Sequence, residues 1–364
     1  MTQRRIAVIG PVPPIRSGVA RHTAATAQAL AQLAEVRLWS FSRQYRNWIY
    51  PGSSERSADL RPPEGLTIAS GLDGMNPLSW HRAASQVARW QPDLAVIPVW
   101  TFVLAPALGT IARSLRRQGV PVCAIVHNAV DHEAAWWKNR LSKWQLAQAD
   151  RYVTHNDTLA DAVRAISPGA PVAILPHPVF DDFPQPLGAL ARQRALELLF
   201  YGLVRPYKGL DIAIEALALS GRRDVRLTIA GEFWQGEDQL RAQITRLGLT
   251  DMVEIRPGHV SDADTAELFA RADAVVLPYR AVSGSGVVPL ACRYGRAVIA
   301  SDLPGLASTI ENGKSGWLFP TGDARSLSEI IARLDRHQTA MAGDHAMEFG
   351  RTLTWERFAR HILA

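Results

Sequence analysis

The feature that most constrains this chain is a rhythm. Short, nearly continuous apolar runs alternate with amphipathic stretches from one end to the other. In the first half the apolar runs fall at residues 5–10, 35–41, 67–70, 94–100, 122–127, 151–155 and 172–176. Helical spacing lies between them at 19–33, 81–90, 105–118, 134–149 and 159–165. Apolar runs without polar alternation predict strands buried on both faces, and so a parallel sheet. Strand–helix–strand order repeated in this way predicts a doubly wound α/β architecture. The rhythm breaks in the stretch that begins Phe180-Asp-Asp-Phe-Pro-Gln-Pro, then restarts. Strands are predicted at 196–201, 226–230, 253–256, 274–277 and 297–301. Helices are predicted at 210–219, 238–247, 262–270, 287–294, 326–336 and 353–363. The chain thus divides into an α/β domain at 1–180, a linker at 181–195 and a second α/β domain at 196–345, followed by a helical segment at 346–364. A length of 364 residues suits two domains of roughly 100–200 residues each.

Composition narrows the function classes. With 47% hydrophobic and 20% charged residues, the chain is neither disordered nor low-complexity. No run approaches the roughly 18 apolar residues of a membrane-spanning helix, and the first apolar run is too short for a signal peptide. Cys123 and Cys292 are the two cysteines, each in an apolar stretch, which excludes a disulfide framework and suits a cytoplasmic location. A net charge of +6 and a pI near 9.6 suit anionic partners such as nucleotides, phosphorylated lipids or a membrane surface. No basic tail is present, and no nucleic-acid partner is expected.

Ligands bind such sheets at the carboxyl ends of strands, where loops meet helix starts. The densest segment of this kind is Phe200-Tyr-Gly202-Leu-Val-Arg205-Pro-Tyr-Lys208-Gly209. A strand ends, Gly202 opens a turn, and two cations three residues apart precede a helix. Cations beside a helix start suit a diphosphate, because a leaving diphosphate develops charge that needs stabilising. The plain alternative is a surface Arg and Lys flanking a helix. The segment Ser283-Gly-Ser285-Gly286-Val287 also leads into a helix. Its glycines expose backbone N–H groups, although Ser and Gly serve equally as caps. A third loop, Gly10-Pro-Val-Pro-Pro-Ile-Arg16-Ser17-Gly18, joins the first strand to the first helix. It is not GxGxxG, and no acid follows the second strand at dinucleotide spacing, which disfavours a nicotinamide or flavin dinucleotide. Gly18 either faces a ligand or simply follows a Ser17 cap.

His127 ends a buried strand, with Asn128, Asp131, His132 and Glu133 in the same loop, and His155 ends the next strand. A strand-end His is more often structural than catalytic, and the crowded loop favours a role for His127. His127, Asp131 and His132 match no metal spacing, and no metal is expected. Asp262-Ala-Asp264 imitates a DxD metal motif, but after Ser261 it reads as a helix cap with acids in the first turn. No GxSxG elbow, Walker loop or Cys–His pair supports a hydrolase or kinase. The helix around Trp136, Trp137, Lys138, Lys143 and Trp144 fits an anionic membrane surface, or else turns Trp137, Leu141 and Trp144 inward as a core stripe. The loop at 42–63 carries Arg43, Tyr45, Arg46, Trp48 and Tyr50 and suits a phosphorylated or lipid-linked glycan. Arg16, Arg43 and Arg46 are the candidate acceptor-side cations.

These segments resemble the retaining glycosyltransferases of family four, the group 1 glycosyl transferases of the GT-B fold. The resemblance spans nearly the whole chain. It rests on Gly202-x-x-Arg205-x-x-Lys208-Gly209, Leu227-Thr-Ile-Ala-Gly231-Glu and Gly258-His-Val. It rests equally on the block from Ala272-Asp through Gly295-x-Ala-Val-Ile-Ala-Ser-Asp302, on Pro304-Gly305 and on Glu311-Asn-Gly-x-x-Gly316. It implies two Rossmann-like doubly wound domains facing a central cleft, acceptor on the first and nucleotide-sugar donor on the second, with 346–364 packing back on the first. It implies transfer from a nucleotide-diphosphate sugar to a glycan or lipid-linked acceptor, with retention and without a metal or other cofactor; the basic charge and the Trp-rich helix suit a cytoplasmic place at the inner face of the cell membrane. By resemblance Arg205 and Lys208 contact the donor diphosphate, His127 approaches the donor sugar, and Gly18 and Gly202 lie near the phosphates. Gly258 and His259 hold the base, while Ser283, Ser285 and the N–H groups of Gly286 and Val287 serve the sugar and phosphates. In one departure, Val282 and Leu290 stand where the family usually carries Glu-x7-Glu. A catalytically silent nucleotide- or partner-binding protein, and a nucleotide-sugar epimerase, are the alternatives on the same fold.

Overall fold

In the computed structural model, which describes residues 3–45, 54–57, 59–129, 136–188 and 191–364, the apolar runs form two separate parallel sheets. One compact unit comprises Met1–Pro176 and Thr354–Ala364, and the other His177–Leu353. The first holds β1 (Arg5–Ile9), β2 (Glu35–Arg43), β3 (Thr67–Asp73), β4 (Leu94–Val99), β5 (Val122–Val126), β6 (Arg151–Thr154) and β7 (Val172–Ile174), in the order β3-β2-β1-β4-β5-β6-β7. Helices α1 (Gly18–Ala31), α2 (Pro77–Arg89), α3 (Ala105–Arg117), α4 (Trp136–Leu146) and α5 (Asp157–Ile166) connect them. Every residue of β4 and β5 is buried, as expected for strands covered on both faces. The strand order reverses between β1 and β4. There a side chain on Gly10 would come within 2.8 Å of the Pro98 ring, so the two strand ends meet only because residue 10 has none.

The second unit repeats the plan with β8 (Leu196–Tyr201), β9 (Val225–Gly231), β10 (Val253–Pro257), β11 (Ala274–Leu277), β12 (Ala297–Ser301) and β13 (Gly316–Phe319), ordered β10-β9-β8-β11-β12-β13. Its helices are α6 (Leu210–Leu219), α7 (Glu237–Arg246), α8 (Asp262–Arg271), α9 (Val287–Arg293), α10 (Pro304–Ala307), α11 (Ala324–Arg333) and α12 (Arg336–Arg351). Ser261 caps α8 by accepting from the Asp264 N–H, so the DxD-like triplet is part of a helix start. Both cysteines are free and buried, and burial pushes the Cys123 thiol up to about 11 and the Cys292 thiol up to about 12. Neither is a reactive thiolate at neutral pH.

The chain passes into the second unit at His177 rather than through a linker at 181–195, and Phe180 and Phe183 are already buried there. The expected helical segment at 346–364 also divides. Helix α12 stays with the second unit, and α13 (Trp355–Leu363) belongs to the first. The sequence reading missed most of α12 because its two glycines and mixed polar residues weaken the helical signal. Those glycines are packing devices. A side chain on Gly343 would lie 2.2 Å from the Gly295 carbonyl oxygen, and one on Gly350 2.8 Å from Cys292. A capping box between Asp335 and Gln338 fixes where α12 starts. Helix α13 lies against α1, with Trp355 and Phe358 4.9 and 5.3 Å from the His22 ring, and Arg151 donates to the Ile362 carbonyl.

In the second sheet the strand order reverses between β8 and β11. Gly209 sits at that point with φ +63°, and a side chain there would lie 1.9 Å from the Pro278 carbonyl oxygen. Left-handed backbone on a non-glycine residue costs about 1–3 kcal/mol before any clash is counted. Gly209→Ala is therefore expected to destabilise by at least about 2 kcal/mol. Thermal unfolding would read this as a melting temperature lower by roughly 4 °C or more. An unchanged melting temperature would contradict the close approach.

Candidate active site

An open α/β sheet leaves a crevice beyond the carboxyl ends of its strands where the strand order reverses. In the second unit both motif loops leave the two strands that flank this point. After β8, Gly202 turns the chain with φ +106°. Val204 N–H then donates to the Glu232 carbonyl at 2.9 Å, and Trp234 N–H to the Val204 carbonyl at 3.3 Å, which pins the loop to the one after β9. The Arg205 guanidinium carbon lies 5.5 Å from the Tyr207 ring and 5.2 Å from the Trp234 ring. Cation–π contact orients such a charge without neutralising it. A 3-10 turn at Pro206–Lys208 follows, and Lys208 Nζ donates to Tyr279 Oη at 3.0 Å. Burial opposes the Lys208 charge. The phenol oxygens of Tyr279 and Tyr207 outweigh it and hold the ammonium above the ordinary lysine value.

Arg280 ties the β8 and β11 loops together. Its backbone N–H donates to the Tyr207 carbonyl at 2.7 Å, and its guanidinium reaches Pro206 O at 3.2 Å and forks onto Asp211 at 2.6 and 2.8 Å. The fork holds the Asp211 carboxyl below its usual range. Within the Ser-Gly loop, Ser283 and Ser285 are half-buried and Gly286 is exposed. Ser285 Oγ accepts the Val287 N–H at 3.2 Å, so that N–H is engaged inside the loop. Leu290 is buried in α9. Gly258 follows β10 with φ +102° and donates to the Gly231 carbonyl at 3.1 Å, and the next residue, His259, is exposed.

In the first unit, Ser17 caps α1 by accepting from Ala20 N–H at 3.0 Å. Gly18 is exposed, with open space where a side chain would be. His127 follows β5, its N–H bonded to the Val99 carbonyl at 2.8 Å. The structure groups it with two other histidines. Its ring lies 4.5 Å from that of His22 on α1 and 5.1 Å from that of His155 past β6. One ring nitrogen from each lies within 4.8 Å of the others, near enough to share a metal ion. His22 Nδ1 is 3.2 Å from Thr26 Oγ1, and His155 Nδ1 is 3.0 Å from the Leu175 carbonyl oxygen. Sequence reading did not single out His22. Its signal was the pair His22 and Thr26, two polar residues one turn apart on the buried face of α1. Asp131 and His132, weighed earlier beside His127, lie outside the described residues.

The acceptor-side cations are tied locally. Arg16 donates to the Ser54 carbonyl at 3.2 Å, and Arg43 pairs with Asp73 at 2.6 Å. Arg46, with Trp48 and Tyr50, lies outside the described residues. Helix α4 corrects the inward-stripe alternative. Trp137 is 46% exposed and Trp136 72%, while Ser142, Gln145 and Leu146 are buried and Trp144 packs on Gly109. Gly109 of α3 admits the Trp144 ring, a fit that no local pattern encodes.

Burial pushes the His155 pKa down to about 4 despite the bond to Leu175. Its folded value lies below the ordinary 6.5, so the unfolded chain binds the extra proton between those pH values. Stability is therefore full above about pH 6.5 and falls as pH drops toward 4. Replacing His155 by Gln is expected to flatten the loss of melting temperature over that window. An equally steep loss in the variant would contradict a buried, neutral His155.

Comparison with known proteins places these features. Residues 189–345 match the family described as Glycosyl transferases group 1, and residues 16–183 match Glycosyltransferase Family 4. A D-inositol 3-phosphate glycosyltransferase of Actinosynnema mirum is 27% identical over 76% of this chain and 73% of its own length. A second, from Saccharomonospora viridis, is 28% identical over 59% of this chain and 52% of its own length, so the match spans about half of that relative. A GDP-mannose:glycolipid 4-beta-D-mannosyltransferase of Xanthomonas campestris is 26% identical over 65% of this chain and 68% of its own length. Among solved structures, a sucrose-phosphate synthase of Thermosynechococcus elongatus superposes with a TM-score of 0.77 at 18% identity, over 99% of this chain and 97% of that one. No helix among the described residues is long and apolar enough to cross a membrane.

Proposed function

We propose that this chain, which belongs to the group 1 glycosyl transferases of family four and has their GT-B fold of two Rossmann-like units, moves a sugar from a nucleotide-diphosphate sugar to a hydroxyl of a glycan or lipid-linked acceptor, with retention and without a metal ion. One observation carries the reading: Arg205 and Lys208 leave β8, and the Ser283–Gly286 loop leaves β11, on the two sides of the strand reversal. As the bond from sugar to diphosphate breaks, negative charge grows on the diphosphate. Two cations set against aromatic rings and a phenol supply positive charge for it. The names of the relatives support the substrate classes, one acting with GDP-mannose on a glycolipid and another on an inositol phosphate. His127 is assigned to the donor sugar, and Gly258 and His259 to the base. With apolar Val282 and Leu290 in the motif positions, Ser283, Ser285 and the backbone around Gly286 take the place of two carboxylates. Exposed Trp136 and Trp137, with Lys138 beside them, support a contact with an anionic membrane at the cytoplasmic face.

The experiment is sugar transfer to a lipid-linked or glycan acceptor, with product anomers read by NMR and EDTA present throughout. Lys208→Ala is expected to lower kcat about 10²–10³-fold, the loss typical of one transition-state charge contact. Unchanged turnover in that variant would overturn the assignment. Product from donor alone would make the protein an epimerase. Nucleotide binding without transfer would make it a silent binding protein.

A further inference from the structure

We infer that the second unit binds a phosphate-sized oxyanion at the amino-terminal edge of its sheet, the end opposite the β8 and β11 loops. A cavity of about 170 Å³ opens there, lined by Arg192, Arg271, Asp273, Arg296, Arg336 and Thr339. Sites for drug-sized ligands run to roughly 300–1,000 Å³, so this one has room for a small anion and not for a nucleotide. Arg192 precedes β8, Asp273 precedes β11, Arg296 precedes β12 and Arg336 opens α12, so four separate segments converge.

The charges do not balance. Arg271 is satisfied elsewhere, 3.0 Å from Glu254 and 3.8 Å from Glu197, with a bond to Thr228. Glu197 in turn accepts the backbone N–H groups of Gln193 and Arg194. That leaves Arg192, Arg296 and Arg336 in a lining whose one carboxylate is Asp273, with Glu197 and Asp344 acting on Arg192 and Arg296 from outside it. Arg192 forks onto Asp273 at 2.7 and 2.9 Å and so offsets its charge, and Arg336 Nε is 3.7 Å from it. Arg296 donates one guanidinium N–H to the Ala272 carbonyl at 2.9 Å, while its buried Nε has no hydrogen-bond partner. Burial, with the neighbouring Arg192 and Arg336 cations, pushes the Arg296 pKa down against the pull of Asp273 and Asp344.

A buried donor on a charged group left without an acceptor costs free energy, and the fold gains nothing visible from it. A tetrahedral oxyanion supplies what is missing. One oxygen accepts from the Arg296 guanidinium and another from Arg336, in the charge-assisted geometry that guanidinium groups favour. The site stands apart from the sugar-transfer reading, because it shares no residue with Arg205, Lys208 or the Ser-Gly loop.

The test is a thermal titration with inorganic phosphate at constant ionic strength. The full chain carries Arg205→Ala and Lys208→Ala, so the diphosphate loops do not compete. A ligand that binds only the folded state raises the melting temperature with concentration. Phosphate is expected to do so, with affinity at least tenfold weaker after Arg296→Gln or Arg336→Gln. Arg336 is 69% exposed and its replacement leaves the packing intact, so a loss of affinity there is not a loss of fold. No rise in melting temperature, or a rise unaltered by both substitutions, would overturn the site. A parallel arm sediments the protein with phosphatidylcholine vesicles containing phosphatidic acid. Binding that depends on Arg296 and Arg336 assigns the phosphate to a lipid headgroup, and no such dependence assigns it to a soluble phosphate; either result keeps the site.

Discussion

The contact on which the second unit's proposed chemistry depends is the approach of Gly209 to Pro278. The loop after β8 and the loop after β11 leave adjacent strands, and a backbone with no side chain lets them meet. Everything around Lys208 follows from that approach. Tyr279, one residue beyond Pro278, comes within 3.0 Å of the Lys208 ammonium. Arg280, one residue further, reaches back to Tyr207, Pro206 and Asp211. The result is a cation placed by phenol oxygens at the carboxyl end of the sheet. A carboxylate partner would have cancelled the charge that the proposed departing diphosphate needs.

The first unit solves a related problem differently. Its β1 and β4 ends meet over Gly10, but the polar groups near its strand ends are imidazoles in an aromatic setting. His22, His127 and His155 come from α1 and from the loops after β5 and β6, and α13 covers them with Trp355 and Phe358. Burial keeps His155 neutral at neutral pH. The return of the last helix to the first unit is therefore part of how His127 and its neighbours are enclosed.

Much of this was legible in the sequence where the signal is local. Apolar runs announced the central strands because burial on both faces removes polar alternation. Arg205 and Lys208 stood out because turn glycine, cations and helix start follow one another within a few residues. Long-range fits were not legible. Helix α12 is held by Gly343 and Gly350 against partners some fifty residues away, and the same glycines blurred its periodicity. The four-residue strand β13 exists because Gly316 lets it lie against Val298 of β12. The histidine group and the Arg296 cavity each combine residues from three or more segments. Spacing alone allowed Trp137 either a core or a membrane-facing position, whereas the chain buries Gln145 and Leu146 instead.

The central claim is that the β8 and β11 loops bind a nucleotide diphosphate through Arg205 and Lys208. The most direct measurement is calorimetric titration of the full chain with UDP, GDP, ADP, CDP and dTDP in the presence of EDTA, using wild type and the Arg205→Ala/Lys208→Ala variant. Saturable binding of one nucleoside diphosphate without metal is expected, and loss of that binding in the variant. Binding that survives both substitutions, or no binding of any of the five, would contradict it.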